Sequence, residues 1–380
     1  MKIRIRQGTY VNAVILLYGI IETLKYFTLI PVLLANGLGV VLGGCTFVYM
    51  SIKHGIKRQY RVIMFVTLYT LTGFMSYMYN GNIDLIELVW PVFFMGIAIA
   101  LLNENVNYKI AAIPIYFFMI IMVYYLVRYG TIANGNYTSE SRNYASIYSL
   151  SFFSIYMIAR EQHNKKEIPW LTLLVVLLGS ILANGRGGIL VFGVMLFLMS
   201  VYGLVRTRLF VSTKKICMLL FGCIALIVLS FGMLDYGNSF IKAMHTSVLM
   251  FKNKGFSSAG RIELIFDYAK QIFASLLNFI LAPPISGTTM LDGFSWNLHN
   301  SFLMLYARYG LVMFVVILML FIKIIKKRIL QRKWIGLIVI VAIMLRMLTD
   351  VCSFNGVLDI PIYYYIFESY YRRKNYCEAK

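Results

Sequence analysis

SAGRIELIFDYAKQIFASLLNFILAPP, residues 258–284, is where the chain leaves one pattern and takes up another. On both sides the sequence is a succession of apolar runs; here apolar residues recur at helical spacing between charged ones. Ile262, Ile265, Phe266, Ala269, Ile272, Phe273, Leu276, Leu277 and Ile280 fall on one stripe, and Glu263, Asp267, Lys270, Gln271, Ser275 and Asn278 fall on the other faces. A helix of that kind lies in the interface plane, its apolar side in lipid or on a bundle. Ser258 or Gly260 would start it, and Pro283-Pro284 ends it. The stretch belongs to a hydrophilic-to-amphipathic segment, 235–298, that interrupts an otherwise apolar chain. The rest of the sequence then reads as helices holding that segment at one face of a bilayer.

Composition agrees. Hydrophobic residues make up 60% of the 380 and charged residues 13%, about half the charged share of a soluble chain. The apolar residues come in runs near 9–30, 32–52, 61–79, 84–102, 109–127, 144–160, 168–183, 188–205, 215–234, 299–323, 334–350 and 357–371. Each approaches the length of about 20 residues that a membrane crossing needs. The expected fold is an all-α integral membrane protein of about 12 transmembrane helices with one large external loop that contains the amphipathic helix. It divides into N-terminal transmembrane helices (1–234), the loop (235–298), and C-terminal helices with a tail (299–380).

The net charge of +21 would suit nucleic acid, but no binding motif or basic-aromatic platform accompanies it. Its distribution is explained by topology. Most of the 36 basic residues fall in alternate connections: Lys2, Arg4 and Arg6; Lys53, Lys57, Arg58 and Arg61; Lys109; Arg160, Lys165 and Lys166; Arg206, Arg208, Lys214 and Lys215; the run from Lys323 to Lys333; and the tail from Arg372. The positive-inside rule puts these in the cytoplasm, with both termini. The opposite set (128–143, 184–188, 235–298 and 351–355) faces outside. The basic N-terminus is followed by no small-residue cleavage site and reads as a retained first span. No cytoplasmic connection has room for a nucleotide-binding domain, and no G-x-x-x-x-G-K sequence is present. Five cysteines show neither C-x-x-C nor Cys/His ligand spacing. Neither a disulfide framework nor a metal site is expected.

Three polar sites converge on the outer face of this topology. Asn184-Gly185-Arg186-Gly187-Gly188 is a tight turn in which glycines allow close approach and Arg186 offers a fork for phosphate oxygens; an interfacial arginine snorkelling to headgroups reads equally well. Arg261 heads the amphipathic helix, where a helix N-terminus already favours anions; it reads also as a solvated loop charge. His299-Asn300 stands at the mouth of the next span, where histidine is suited to take a proton near neutral pH or to act as a hydrogen-bonding anchor. Arg308 is nine residues deeper, roughly 13 Å at helical rise. Arg346 and Asp350 (i, i+4) and Glu22 and Lys25 (i, i+3) read as structural pairs, Asp350 being a reserve candidate because it reaches the outer face.

In order and on one side, these pieces resemble the superfamily of O-antigen ligases and O-antigen or capsular polysaccharide polymerases. Leu182-Ala183-Asn184-Gly185-Arg186-Gly187-Gly188 is similar to its S/N-x-R-G turn, though glycine stands at 185 where serine is frequent. Ser258-Ala259-Gly260-Arg261 with the amphipathic stretch and Pro283, Pro284 and Gly287 is similar to its loop motif, with Pro-Ile-Ser-Gly at the end. His299-Asn300-Ser301-Phe302-Leu303 followed by Tyr309-Gly310-Leu311 is similar to its H-N-x-x-L signature. The match covers roughly residues 180–315. The resemblance implies inverting glycosyl transfer from an undecaprenyl-diphosphate-linked oligosaccharide without metal or other cofactor. It further implies a flippase and a chain-length regulator as partners. Arg186 and Arg261 would neutralise the departing diphosphate, His299 would accept the acceptor hydroxyl's proton, and Asn300 and Arg308 would bind substrate. Polymerase is the expected activity, with O-antigen ligase as the alternative. A lipid-linked sugar flippase fits less well, since the polar groups concentrate in one loop and no internal repeat is visible.

Overall fold

A computed structural model describes residues 8–55, 59–129, 138, 141–183, 185–206, 261–293 and 297–369, and among them the chain is helical with no strand. In order the helices are α1 (Thr9–Tyr26), α2 (Val32–His54), α3 (Tyr60–Asn80), α4 (Trp90–Asn103), α5 (Tyr108–Ala111), α6 (Ile113–Tyr129), α7 (Arg142–Gln162), α8 (Trp170–Leu182), α9 (Arg186–Arg206), α10 (Arg261–Ile272), α11 (Leu276–Leu281), α12 (Thr289–Gly293), α13 (Ser301–Leu330), α14 (Trp334–Thr349) and α15 (Asp359–Glu368). A 3₁₀ turn, Leu85–Leu88, leads into α4. Among the described residues, six segments are long and apolar enough to cross a membrane: α2, α3, Leu85–Asn103, Tyr108–Tyr129, α9 and α13. This is therefore a helical protein with several membrane-spanning candidates. Every expected span holds a helix except 215–234, which lies outside the described residues along with the loop's first part, 235–260. However, α8 and α14 are shorter than a crossing. The ten residues of α15 rise only about 15 Å, half the hydrocarbon thickness of about 30 Å.

The helix at the centre, α7, is one of the more polar. From Ala145 to Ala159 every residue is buried, including Ser146, Ser149, Ser151 and Ser154. Ser149 donates to the Ala145 carbonyl and Ser154 to that of Leu150, so these hydroxyls are satisfied within their own helix. Ser151 donates to the Val357 carbonyl. The serines of this helix can thus be buried among apolar neighbours with their hydroxyls paired.

Helix ends fall into two groups. At one end the α2 residue Lys53 pairs with Glu104 beyond α4, the Gly8 amide donates to Glu104 at 3.2 Å, and the Val106 amide donates to Gln162 at 2.9 Å. Arg328 of α13 bridges Glu161 of α7 (2.5 Å) and Glu368 of α15, and Lys333 reaches Glu161 at 2.8 Å. At the other end, Asn82 donates to the carbonyls of Pro283 (2.7 Å) and Ala307 (2.9 Å), and Tyr144 donates to that of Val351 (2.8 Å). The ends alternate along the chain as the charge pattern requires; the assignment of the basic end to the cytoplasm rests on the positive-inside rule.

Two expectations are corrected. The amphipathic segment is not one helix over 261–281: α10 stops at Ile272, and α11 begins anew with Ser275 as its cap, the serine hydroxyl accepting from the Asn278 amide at 3.1 Å. The stripe expected in lipid or on a bundle faces outward at several positions, and other residues pack inward. Leu264 and Tyr268 are buried against Ala282, Leu298, Met304 and Ala307, while Phe266, Phe273, Leu276 and Leu277 face outward. The second correction concerns the next span, where α13 runs to Leu330 and is broken at Gly310 (φ 71°, ψ −176°). A Cβ at 310 would come within 2.7 Å of the Ile280 carbonyl oxygen. Gly310→Ala is therefore expected to destabilise the protein by about 1–3 kcal/mol, combining positive-φ strain with that clash. A lowered midpoint for unfolding in mixed SDS micelles would register it, and an unchanged midpoint would contradict the fold at α11.

Candidate active site at the Asp350 turn

Helices α13 and α14 meet at the end of the bundle that also holds the start of α9. Asn300 caps α13: its side-chain oxygen accepts from the amides of Phe302 (2.9 Å) and Leu303 (3.1 Å), and its amide reaches the Leu348 carbonyl at 3.3 Å. An Asn cap of this kind satisfies backbone donors that the helix cannot. The cap holds His299 just before the helix in a left-handed conformation (φ 50°), with its own amide donating to Asn297 at 2.8 Å. Asn300, expected to bind substrate, thus has its side chain engaged by the fold.

From this position the His299 Nδ1 lies 3.7 Å from Asp350 Oδ1, an electrostatic contact longer than a hydrogen bond. The other carboxylate oxygen is 3.4 Å from Arg346 Nη2. Arg346 is buried on α14, its guanidinium also donating to Thr349 Oγ1 (2.8 Å) and to the Asn143 carbonyl (3.1 Å). Asp350 is anchored through its backbone as well, since Ser301 Oγ donates to its carbonyl at 2.8 Å and accepts from the Cys352 amide at 2.9 Å. The expected i, i+4 pair is therefore present, and it stands against the histidine. Asp350 changes from reserve candidate to the group that links His299 to a fixed cation.

The start of α9 abuts the same arginine. A Cβ built on Gly187 would approach Arg346 Nη1 to 2.7 Å, so a larger residue here would have to push the guanidinium aside. Arg186, the first residue of α9, is half-buried beside that contact. Asn184 lies outside the described residues. Arg261 opens α10, but its side chain is outside what the structure describes. Its helix is docked through Leu264 and Tyr268 on Leu298, the residue before His299. Arg308 pairs with Glu87 of the 3₁₀ turn at 3.2 Å and lines a cleft of about 210 Å³ whose wall includes Val351, Cys352 and Ser353. The turn after Asp350 therefore separates the His299 group from the Arg308 cleft. Among the described residues no three His, Cys, Asp or Glu side chains form a metal-ligand set.

Cys352, expected on an outer turn, is buried, and burial pushes its thiol up to about 12. It is expected to resist maleimides at pH 7–8 in the folded protein and to react after SDS unfolding, because the thiolate is the reacting form. Mass spectrometry of the labelled peptides checks this, and label found on Cys352 before unfolding would overturn it.

The site offers a histidine able to exchange a proton, a carboxylate beside it, a buried cation behind the carboxylate, and a second arginine at a helix N-terminus. Sequence reading missed the role of Arg346, since nothing in a local i, i+4 pair reveals what lies across from it. No protein-family model matches the chain, and a comparison with curated proteins finds no match.

Proposed function

We propose that the protein is a membrane glycosyltransferase acting at the outer face of a bacterial cytoplasmic membrane. In this reading about 12 helices hold the site, and the enzyme polymerises a surface polysaccharide from lipid-diphosphate-linked repeat units. The observation that carries the reading is the contact of His299 with Asp350 beside the N-terminus of α9. A base, its orienting carboxylate and a cationic helix terminus are the parts needed to deprotonate a sugar hydroxyl and receive a diphosphate. The acceptor hydroxyl gives its proton to His299 as its oxygen attacks the anomeric carbon from the face opposite the leaving group. The bond from that carbon to the diphosphate oxygen breaks, and the electron pair leaves with the lipid diphosphate. Arg186 and, by the sequence resemblance, Arg261 stabilise that developing charge; the mechanism as drawn needs no metal. The carboxylate of Asp350 orients the imidazole from 3.7 Å, while Arg346 holds that carboxylate in place.

Deleting the gene in its host and resolving surface glycan on a gel tests the proposal. Single repeat units on the lipid acceptor, with long chains restored by the wild-type gene and not by Arg186→Ala at equal protein level, are expected. Long chains stranded on undecaprenyl diphosphate with a bare acceptor would replace polymerase by ligase. An unchanged ladder, or full complementation by Arg186→Ala, would remove the proposed roles.

A further inference from the structure

The cleft on the far side of the 351–357 turn has no part in the chemistry just described, yet it is built like a ligand site. Its walls come from distant segments: Lys25 at the end of α1, Asn36 on α2, Glu87 on the 3₁₀ turn, Trp90 at the start of α4, Arg308 on α13, and the turn after Asp350. Two buried polar atoms on its lining have no hydrogen-bond partner, Arg308 Nε and Ser353 Oγ. Ser353 is 2% exposed. Buried polar groups are nearly always satisfied, and each exception calls for an explanation. Two such atoms on one cleft suggest that a molecule which hydrogen-bonds fills it.

The lining also says what kind of molecule. The charges are already balanced in pairs: Arg308 with Glu87 at 3.2 Å and Lys25 with Glu22 at 3.3 Å. A site for phosphate or carboxylate would instead present cations without such anions. What remains is a mixture of donors and acceptors, with the ring of Trp90 at their edge and half-buried. A pyranose matches this, because its hydroxyls both donate and accept and its C–H face stacks on an aromatic ring. At about 210 Å³ the cleft is below the roughly 300–1,000 Å³ of pockets for drug-sized ligands, which suits a single sugar ring.

The turn that forms the shared wall is rigid. Phe354 and Asn355 have positive φ (59° and 104°). They are held there by the buried carboxylate of Asp359, which accepts from the amides of Phe354 (2.6 Å), Asn355 (2.8 Å) and Gly356 (3.3 Å). Asn355 is fixed in turn by Tyr309, whose hydroxyl lies 3.2 Å from the Asn355 amide nitrogen. A sugar seated on this wall is one short turn of chain from Asp350 and His299.

We infer that the cleft between Arg308, Trp90 and Ser353 binds one uncharged sugar ring of the polysaccharide. The ring belongs to the acceptor or growing chain and is held beside the catalytic histidine without taking part in the reaction. The inference rests on the glycosyl-transfer reading for the origin of the sugar, and on the cleft alone for its chemistry.

Saturation-transfer NMR tests it on the full chain in lipid nanodiscs, with methyl pyranosides of glucose, galactose, mannose and N-acetylglucosamine as probes. At least one is expected to receive saturation, to lose about fivefold or more of its signal in Trp90→Leu and in Asn36→Ala, the equivalent of one hydrogen bond or stacking contact, and to keep it in His299→Ala. Asn36 is half-exposed, so its variant tests the site even where Trp90→Leu fails to fold. Absence of transfer to all four, equal transfer in both cleft variants, or displacement by millimolar inorganic phosphate would overturn the inference. Sugar binding in a protein that proves inactive in glycan assembly would leave the cleft as a sugar site and remove the enzyme. An active enzyme with no binding would do the reverse.

Discussion

His299→Ala is expected to reduce chain elongation by about 10²–10⁴-fold, the usual worth of a positioned general base, at unchanged protein level. The measurement is polymerisation in proteoliposomes with lipid-diphosphate-linked repeat units extracted from the host. Loss of activity alone would not separate catalysis from folding, because His299 precedes the cap of α13 in a positive-φ conformation. Asp350 supplies the separation. Asp350→Asn keeps the shape of the turn but removes the charge beside the imidazole, so elongation should fall to a level between wild type and His299→Ala. It also leaves Arg346, which is 1% exposed, without its counter-charge, which costs stability. Pairing Asp350→Asn with Arg346→Met removes both charges and should recover much of that stability while activity stays low. Were the double variant to regain activity along with stability, Asp350 would be a structural counter-ion and His299 would work without it. Near-normal elongation in His299→Ala would end the base assignment altogether.

The sequence foretold much of the scaffold and only part of this site. Apolar runs at 32–52 and 61–79 became Val32–His54 and Tyr60–Asn80, because an uninterrupted run of that length in a chain so poor in charge has few other folds. The Glu22–Lys25 and Arg346–Asp350 pairs were legible for a similar reason: neighbours at i+3 and i+4 meet on a helix whatever surrounds it. What stood opposite them was not legible. The contact of His299 with Asp350 joins positions 51 residues apart, and local spacing carries no information on it. The amphipathic stretch shows a second limit. With Leu264 and Tyr268 on one side and Phe266, Phe273, Leu276 and Leu277 on another, apolar residues nearly encircle the segment. Lipid tails are as apolar as a protein core, so periodicity cannot say which face meets the bundle. The break at Ser275 was concealed because the apolar period continues across it, although a serine three residues before Asn278 was the available signal for a new cap.

Arg328→Ala is expected to be the most destabilising single change outside the site, by about 3–5 kcal/mol. In the sequence Arg328 reads as one of a run of cations that set topology. In the fold it is separated from that run by burial: its side chain is 1% exposed, it reaches Glu161 at 2.5 Å and Glu368 within bonding distance, and its guanidinium lies 4.8 Å from the centre of the Tyr365 ring. Three helices, α7, α13 and α15, are joined through this one group. Removing it places two carboxylates side by side, with Lys333 at 2.8 Å and 3.4 Å left to compensate their charge. Lys333 is one-third exposed, so water screens much of what it can offer. Lys326 replaced by alanine should be nearly neutral by comparison, since an exposed basic residue in a redundant run contributes to orientation and not to packing. Equilibrium unfolding in mixed SDS micelles measures the difference. The decisive comparison is Arg328→Met with Glu161→Gln and Glu368→Gln: removal of all three charges should restore a large part of the loss, because a buried ion cluster stabilises little relative to a packed neutral one, while an orphaned member costs much. A triple variant no more stable than Arg328→Ala would mean that packing of the arginine stem on Tyr365, and not its charge, ties α13 to α15. An Arg328→Ala protein as stable as wild type would mean that the three helices are held by their apolar contacts alone.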